Sequence, residues 1–294
     1  MKIAIIGGGA IGLLFANYLS EHHDIRIYVR SSSQAIKLRS QGLTFVRDGK
    51  QNKSLVKAEL FSGWKGEEEL TIIAVKQYSI PDVVSSIQKV NPVRPLSMLF
   101  LQNGMEHLKW ISNIQTKRLF VGSVEHGALK IGPDTVEHTG VGVTKLAAIK
   151  GDAAFLKAIS EPEFDHFPFV FRDDYRKMLA EKLIVNSVIN PLTAVLRVRN
   201  GELLDNQYYF RLFLNLFEEA SMVLGLSNKE AALEHVKSVC KSTGNNRSSM
   251  LKDIEAGRPT EIDAILGYIL KEANDRKMAV PYSESLYCLV KGKE

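Results

Sequence analysis

Cysteine is scarce in this sequence, and its scarcity excludes two kinds of stabilising framework. The 294 residues include only Cys240 and Cys288, and neither belongs to a Cys-x-x-Cys motif or lies near a pair of histidines. A disulfide-stapled fold or a structural zinc site needs more of these residues at short spacing. The composition therefore predicts no metal site and indicates a reducing compartment, which we take to be the cytoplasm.

Long apolar runs, internal repeats and low-complexity segments are also missing. No stretch approaches the roughly 18 consecutive apolar residues that span a membrane, and the apolar opening run 1–14 contains four glycines. The 38 basic and 33 acidic residues give a net charge of only +5, and no basic cluster is interleaved with aromatic residues. We therefore expect neither membrane nor nucleic acid as partner. The oligomeric state stays open between a monomer and a homodimer, and the motifs described below indicate a small-molecule substrate.

A glycine-rich turn stands between a buried strand and a helix at the start of the chain. Residues 2–6 are apolar without alternation, which is typical of a parallel strand buried on both faces, and residues 13–20 are expected to be helical. A GxGxxG pattern between them permits a tight turn, close approach of a pyrophosphate and close helix packing. This context predicts a dinucleotide site. The cofactor-binding residues predicted here are Gly7, Gly8, Gly9, Ala10, Ile11 and Gly12.

The end of the second predicted strand indicates which dinucleotide binds. In NAD enzymes an acidic residue about 20 positions beyond the glycines binds the ribose 2′-hydroxyl. Here the strand 25–29 is followed by Arg30 and then by Ser31, Ser32 and Ser33. A guanidinium and hydroxyls suit a 2′-phosphate, so the pattern favours NADP over NAD. The alternative is a solvated arginine at a strand end.

Two more polar residues follow buried strands in the first half of the chain. Lys76 comes just after the apolar run 70–75, and Asn103 follows the run 96–101. Because ligands of open α/β sheets bind outside the carboxyl ends of the strands, both side chains are expected near the cofactor or the substrate. A solvated loop lysine and an ordinary Asn-Gly turn are the alternatives.

The chain changes character near residue 169. Before it, buried strands alternate with helices, and two hairpins are predicted, one from 43–46 with 55–60 and one from 135–138 with 141–149. After it, helical periodicity takes over. We therefore predict an α/β fold class, with an N-terminal Rossmann-like doubly wound sheet as the NADP-binding domain (1–169) and an all-α substrate-binding domain (170–294). The helices expected in the second domain lie near 173–198, 202–226, 228–242, 248–256, 260–278 and 282–291.

A polar stripe interrupts an otherwise apolar helix of the second domain. Lys182, Asn186 and Asn190 recur every four residues, so on a helix they share one face, and Thr193 falls on the same stripe. Most such stripes are solvated, but asparagine is a poor helix former, and two asparagines indicate that their amides are needed for binding. Pro191 is expected to kink this helix, which could then line a cleft.

Two helix starts in the second domain supply weaker candidates. Ser249 stands at the start of a short helix, where a serine is either an N-cap or part of an anion site. Glu261 lies in the first turn of the next helix, where an acidic residue is ordinary. From their positions alone, neither residue is more than a candidate.

A nicotinamide cofactor implies hydride transfer, and hydride transfer to a carbonyl requires a nearby acid. Negative charge develops on the carbonyl oxygen and must be stabilised and protonated. Lys182 can do both through its ammonium group, and the amides of Asn186 and Asn190 can fix a substrate by donating and accepting hydrogen bonds.

Several motifs together resemble the ketopantoate reductase (2-dehydropantoate 2-reductase) family over nearly the whole chain. The resemblance implies NADPH-dependent reduction of 2-dehydropantoate to (R)-pantoate, on the route to pantothenate and coenzyme A. The chain departs from the pattern at Gln102, where some members have histidine. The motifs are the glycine turn, Lys76, Gln102-Asn103-Gly104-Met105, the segment 182–194, Asn200-Gly201-Glu202, Ser248-Ser249-Met250 with Asp253-Ile254, and Thr260-Glu261-Ile262-Asp263.

The resemblance also implies roles for individual residues. Lys182 is similar to the general acid of the family, and Glu261 to a catalytic carboxylate that helps to place the substrate and Lys182. Arg30 and Lys76 are similar to contacts with the 2′-phosphate end of the adenosine and with the cofactor, respectively. Asn103 resembles a residue between nicotinamide and substrate. The substrate-binding positions implied are Asn103, Asn186, Asn190, Asn200 and Ser249.

Two other functions stay open at this point. One is a reductase for another branched 2-oxo acid, because the motifs recognise a carboxylate beside a carbonyl and the shape of the pocket decides the rest. The other is a non-catalytic regulator that senses NADPH. Such a regulator would have no need of Lys182, the asparagine stripe and Glu261 together.

Overall fold

The computed structural model describes residues 1–90, 92, 95–161 and 163–294 and divides into two compact units. Unit 1 comprises Met1–Gln102 and Trp110–Met178, and unit 2 comprises Asn103–Lys109 and Leu179–Glu294. The division thus falls later than residue 169, because a further strand, Phe169–Arg172, extends the sheet of unit 1. The short segment that carries Asn103 belongs to unit 2.

The described part of unit 1 contains twelve strands in two sheets. Eight strands form one sheet in the order β12-β11-β8-β7-β6-β1-β2-β5, and four form the other in the order β4-β3-β10-β9. The strands are β1 (Lys2–Ile6), β2 (Asp24–Val29), β3 (Leu43–Arg47), β4 (Lys50–Ser54), β5 (Lys57–Leu60), β6 (Leu70–Ile73), β7 (Ser97–Phe100), β8 (Arg118–Val124), β9 (Gly127–Lys130), β10 (Thr135–Gly140), β11 (Thr144–Lys150) and β12 (Phe169–Arg172).

The order of the strands reverses at β1. Its two parallel neighbours are β2, the next strand along the chain, and β6 on the other side. The strands β6 and β7 are buried along their whole length, which agrees with their continuous apolar sequences. Ligands of such sheets bind outside the carboxyl ends of the strands where the order reverses. The predicted doubly wound, mostly parallel sheet is confirmed, with β11 antiparallel to β8.

Both predicted hairpins are wrong in one arm. β3 pairs with β4, not with 55–60, through a turn at Asp48 and Gly49, which have φ of 50° and 74°. Two residues with positive φ form the tight turn that suits a hairpin. The polar, mostly exposed sequence of β4 carries no apolar strand signal, whereas β5 pairs in parallel with β2. Likewise, β10 pairs with β9 and β3, while β11 pairs with β8 and β12.

Twelve α-helices are assigned in the described residues. Unit 2 contains no strand among its described residues, as the fold prediction requires. The helices are α1 (Ala10–Leu19), α2 (Ser32–Gln41), α3 (Ile80–Lys89), α4 (Leu108–Ile111), α5 (Ala154–Ser160), α6 (Tyr175–Leu196), α7 (Glu202–Asp205), α8 (Gln207–Leu224), α9 (Lys229–Ser242), α10 (Ser249–Glu255), α11 (Tyr268–Asp275) and α12 (Pro281–Lys291), and a π-helical turn, Asp263–Gly267, leads into α11.

The helix α6 contains the polar stripe and continues through Pro191. By length and composition it is also apolar enough to cross a membrane, which corrects the expectation that no segment approaches that size. Of the apolar window, 61% is buried inside the protein. A buried core helix meets the same criterion, so this helix is weak evidence for a membrane span.

Candidate active site

The glycine turn of unit 1 is held against the end of β6. Gly7 has φ of 123°, a conformation that residues with a side chain rarely adopt, and a Cβ there would lie 2.8 Å from the Ala74 carbonyl carbon. A Cβ at Gly12 would overlap the Gly7 carbonyl oxygen. Both positions therefore require glycine for the close approach of α1 to the strand ends, as the motif predicts.

Gly9 differs from these two glycines because the space around it is open. It is the N-cap residue of α1 and offers no side chain to cap the helix, and a Cβ there would meet no described atom within 4 Å. The first amides of a helix lack intrahelical acceptors and attract anions. The backbone of Gly9, Ala10 and Ile11 therefore borders a space that suits a pyrophosphate.

Two side chains that the motif did not indicate hold the carbonyl oxygen of Gly8. Gln34 Nε2 on α2 donates to this oxygen at 2.8 Å and to the Pro133 carbonyl oxygen at 2.7 Å. Lys130 Nζ donates to the same Gly8 oxygen, also at 2.8 Å, and burial lowers the pKa of this lysine. Gln34 and Lys130 lie far from the motif in sequence, so no local pattern identifies them.

The structure places Arg30 on the surface directly after β2, with its side chain exposed. The three serines that follow are not equivalent. Ser31 is the N-cap of α2 and accepts a hydrogen bond from the Gln34 backbone N–H at 3.4 Å, and its hydroxyl also bonds that of Ser33 at 2.7 Å. Ser31 thus has a structural task, and Arg30 is the stronger candidate for binding a phosphate.

Lys76 lies past the carboxyl end of β6, where it is half-buried and precedes a short 3₁₀ helix, Gln77–Ser79. Gln102 stabilises this strand end. Its side-chain Nε2 donates to the carbonyl oxygens of Ile73 at 2.9 Å and Val75 at 3.0 Å. The departure from the family pattern at Gln102 therefore affects a residue that joins the ends of two strands.

In unit 2, Lys182, Asn186 and Asn190 lie on the uninterrupted helix α6. At four-residue spacing they share one face; Lys182 and Asn186 are half-buried, whereas Asn190 is 9% exposed. Each asparagine side-chain amide can both donate and accept hydrogen bonds, so this face of the helix offers groups that could bind a ligand. The neighbouring faces carry the buried apolar residues Leu183, Ile184, Val188 and Ile189.

Thr193, at the end of the stripe, connects α6 to the start of α10. Its hydroxyl donates to Ser248 Oγ at 2.8 Å, and Ser248 Oγ accepts from the Leu251 backbone N–H at 3.1 Å. Ser248 is therefore the N-cap of α10. Ser249, the candidate, is the first residue of the helix and is exposed, which leaves its hydroxyl available for a substrate.

Asn103 and Glu261 meet directly in unit 2. Asn103 Nδ2 donates to Glu261 Oε2 at 2.8 Å, although 158 positions separate them. Glu261 is 8% exposed. Gly104, with φ of 75°, follows Asn103, and a Cβ at this position would overlap the Ala264 carbonyl oxygen. The absence of a side chain at Gly104 thus permits the close approach that brings Asn103 to Glu261.

Asn200 differs from the other predicted substrate ligands because its amide is already engaged. Its Nδ2 donates to Thr243 Oγ1 at 2.9 Å, and its backbone carbonyl accepts from the Cys240 thiol at 2.8 Å. The side-chain Oδ1 is buried without a partner among the described residues. Only this oxygen could bind a substrate.

His107 is buried four residues beyond Asn103. Neither ring nitrogen has a hydrogen-bond partner in the described part of the chain. Burial lowers its pKa to about 3. The imidazole is therefore neutral at physiological pH and a poor proton donor, which leaves Lys182 as the stronger candidate for the acid.

Known proteins of one family are similar to this chain along its entire length. Residues 3–151 match the family model for ketopantoate reductase PanE/ApbA, and residues 174–294 match the model for its C-terminal part. The 2-dehydropantoate 2-reductase of Bacillus subtilis (strain 168) is 39% identical over 296 residues, which cover 100% of this chain and 98% of that protein. The chain belongs to the ketopantoate reductase family.

Other members of the ketopantoate reductase family and several solved structures are also similar to this chain over nearly its full length. The 2-dehydropantoate 2-reductase of Listeria innocua is 36% identical, with 100% of this chain and 97% of that protein covered. The crystal structure of a probable 2-dehydropantoate 2-reductase from Bacillus subtilis has a TM-score of 0.92 and 38% identity, with both chains covered fully. D-mandelate dehydrogenase with NADH and anilino(oxo)acetate, at 24% identity, TM-score 0.89, and coverage of 100% and 98%, shares the fold.

Proposed function

We propose that this protein reduces 2-dehydropantoate to (R)-pantoate with NADPH in the cytoplasm. The observation that carries the proposal is the hydrogen bond between Asn103 and Glu261, two family positions far apart in sequence. Full-length similarity to proteins named 2-dehydropantoate 2-reductase supports the choice of substrate.

Unit 1 is proposed to bind NADPH. The amides at Gly9, Ala10 and Ile11 would hold the pyrophosphate in the open space at the start of α1. The exposed guanidinium of Arg30 would bind the 2′-phosphate through charge-assisted hydrogen bonds, and Lys76 would contact the cofactor past the end of β6. Bound NADPH supplies a hydride, which the substrate carbonyl carbon at C2 accepts.

Unit 2 is proposed to bind the substrate and supply the proton. As charge develops on the carbonyl oxygen, the ammonium group of Lys182 stabilises it and then donates the proton. Asn186 and Asn190 orient the substrate from the same helix face, and the Ser249 hydroxyl and Asn200 Oδ1 offer further contacts. Glu261 and Asn103, joined by their hydrogen bond, help to place the substrate and Lys182.

The experiment is NADPH consumption with 2-dehydropantoate, measured in parallel with NADH. Lys182→Ala is expected to reduce kcat by roughly 10²–10⁴-fold, the usual contribution of a general acid, while the dissociation constant for NADPH changes little. Lys177→Ala, at an exposed lysine of the same helix, is the matched control. Near-normal turnover of the Lys182 variant would contradict the proposed mechanism.

Substrate comparison separates this proposal from its alternatives. A site built for the hydroxymethyl group of 2-dehydropantoate should strongly reject 2-oxoisovalerate, which lacks it; equal rates would indicate a broader 2-oxo acid reductase. Tight NADPH binding without turnover of any 2-oxo acid would indicate a sensor. Sedimentation distinguishes a monomer from a homodimer.

A further inference from the structure

The carboxylate of Glu294 binds the backbone next to Glu261. Its Oε1 accepts from the Thr260 backbone N–H at 2.8 Å and from the Thr260 hydroxyl at 2.6 Å. Its Oε2 accepts from Lys291 Nζ at 2.6 Å. The Glu294 side chain is 15% exposed, and its two hydrogen bonds with Thr260 are partly buried, whereas the contact with Lys291 lies at the surface.

The Thr260 hydroxyl connects Glu294 to the backbone on the far side of Glu261. While its hydroxyl donates to Glu294, the same oxygen accepts from the Ile262 backbone N–H at 3.1 Å. The residues on both sides of Glu261 are therefore fixed by one hydroxyl group. On its C-terminal side, the Glu261 carbonyl oxygen accepts from the Ala264 backbone N–H at 3.1 Å.

A second contact of Lys291 reinforces the arrangement. Lys291 Nζ lies 3.3 Å from Asp263 Oδ2, and Asp263 Oδ1 accepts from the Tyr287 hydroxyl at 2.6 Å. Lys291 thus connects Glu294 to a carboxylate two residues beyond Glu261. Burial would raise the pKa of Glu294, but the hydrogen bonds from Lys291 and Thr260 lower it overall. The acceptor therefore stays ionised at neutral pH.

We propose that Glu294, acting through Thr260, is a positioning residue that holds the Glu261 carboxylate in its hydrogen bond with Asn103. This inference rests on the proposed function for the role of Glu261. Neither Glu294 nor Thr260 is assigned contact with substrate or cofactor. Their effect on the reaction is to restrict the backbone that carries Glu261, since a misplacement of about 1 Å in a catalytic group costs roughly 100-fold in rate.

The test compares steady-state kinetics of Glu294→Ala, Glu294→Gln and Thr260→Val. Glu294→Ala and Thr260→Val are expected to lower kcat by about 10-fold or more with little change in NADPH affinity. Glu294→Gln keeps an acceptor for the Thr260 N–H and hydroxyl and should restore part of the rate. The matched control is Glu284→Ala, at an exposed glutamate of the same region on α12.

A double-mutant cycle with Glu261→Gln distinguishes positioning from general stability. If Glu294 acts through Glu261, Glu294→Ala should cause little further loss in the Glu261→Gln background. Equal losses in both backgrounds, or a normal rate in the single variant, would overturn the inference.

An NMR measurement makes the result independent of turnover. The side-chain amide resonances of Asn103 are expected to shift in Glu294→Ala and to stay unchanged in Glu284→Ala, because only the former releases Glu261. Unchanged resonances in both would refute the positioning role even if the wild type proved inactive on 2-dehydropantoate. Inactivity of the wild type together with a shift in Glu294→Ala would reject the proposed function while retaining the structural coupling.

Discussion

The glycine at position 104 offers the sharpest test of how the Asn103–Glu261 pair is formed. A methyl group in Gly104→Ala would overlap the Ala264 carbonyl oxygen and lie 2.8 Å from the Ala264 carbonyl carbon. Carbon and oxygen in contact lie roughly 3.3 Å apart or more, so the loop must move by about 1 Å. A displacement of that size in a group that positions substrate corresponds to roughly 100-fold in rate.

The backbone conformation adds a separate cost. At φ of 75°, a residue with a Cβ costs about 1–2 kcal/mol. Gly225→Ala is the matched control, because Gly225 has φ of 63° but no atom within 4 Å of an added Cβ. We expect both variants to lose stability, and only Gly104→Ala to lose about 100-fold in kcat/KM.

The assay is NADPH oxidation with 2-dehydropantoate, combined with thermal unfolding of both variants. Wild-type kcat/KM in Gly104→Ala would refute the reasoning, because it would show that the rate tolerates displacement of Asn103. Equal rate losses in the two glycine variants would also refute it, since the loss would then follow general destabilisation.

Three further predictions concern other parts of the fold. Gly12→Ala should misfold unit 1 or lower its melting temperature, measured by circular dichroism, because the added Cβ overlaps a backbone oxygen. Gly9→Ala should fold normally, because its added Cβ enters open space, and should raise the KM for NADPH, measured by steady-state kinetics. Arg30→Ala should weaken NADPH binding with little effect on NADH, as titration of both cofactors would show. Glu219 accepts three hydrogen bonds from the first turn of α12, two of them from Ser283, so Glu219→Ala should cost about 2–4 kcal/mol in urea unfolding, and Ser283→Ala less.

Local sequence patterns predicted the turns and helices whose conformation is set by residues close to one another in the sequence. The glycine turn was identified because Gly7 and Gly12 stand at fixed distances from a strand and a helix. Most helices of unit 2 followed from apolar periodicity. The helix predicted over 202–226 was wrong, because Asn206 caps a new helix and divides the segment into α7 and α8, and the segment predicted over 260–278 begins with a π-helical turn. The second arm of the first hairpin was wrong because Lys50–Ser54 is polar and held by backbone pairing, which leaves no apolar alternation to detect.

The contacts that define the candidate site lie beyond such patterns. Nothing near Asn103 indicates Glu261, and nothing near Thr193 indicates Ser248, since each pair is created by the tertiary fold. The family resemblance pointed to Glu261 without giving its partner. Spacing alone identified the stripe on α6, because a helix converts a four-residue repeat into a shared face.

The two hydrogen bonds on the Gly8 carbonyl oxygen bear on the cost of binding a cofactor. Glycine-rich segments have more conformational freedom to lose than other segments, and a flexible loop would have to be ordered when ligand binds. In this protein the glycine-rich loop is held by hydrogen bonds from Gln34 on α2 and Lys130 on β9 to the Gly8 carbonyl oxygen. The loop is thereby preorganised, so that little of the binding free energy is consumed in ordering it, while its first helix amides stay open to a ligand.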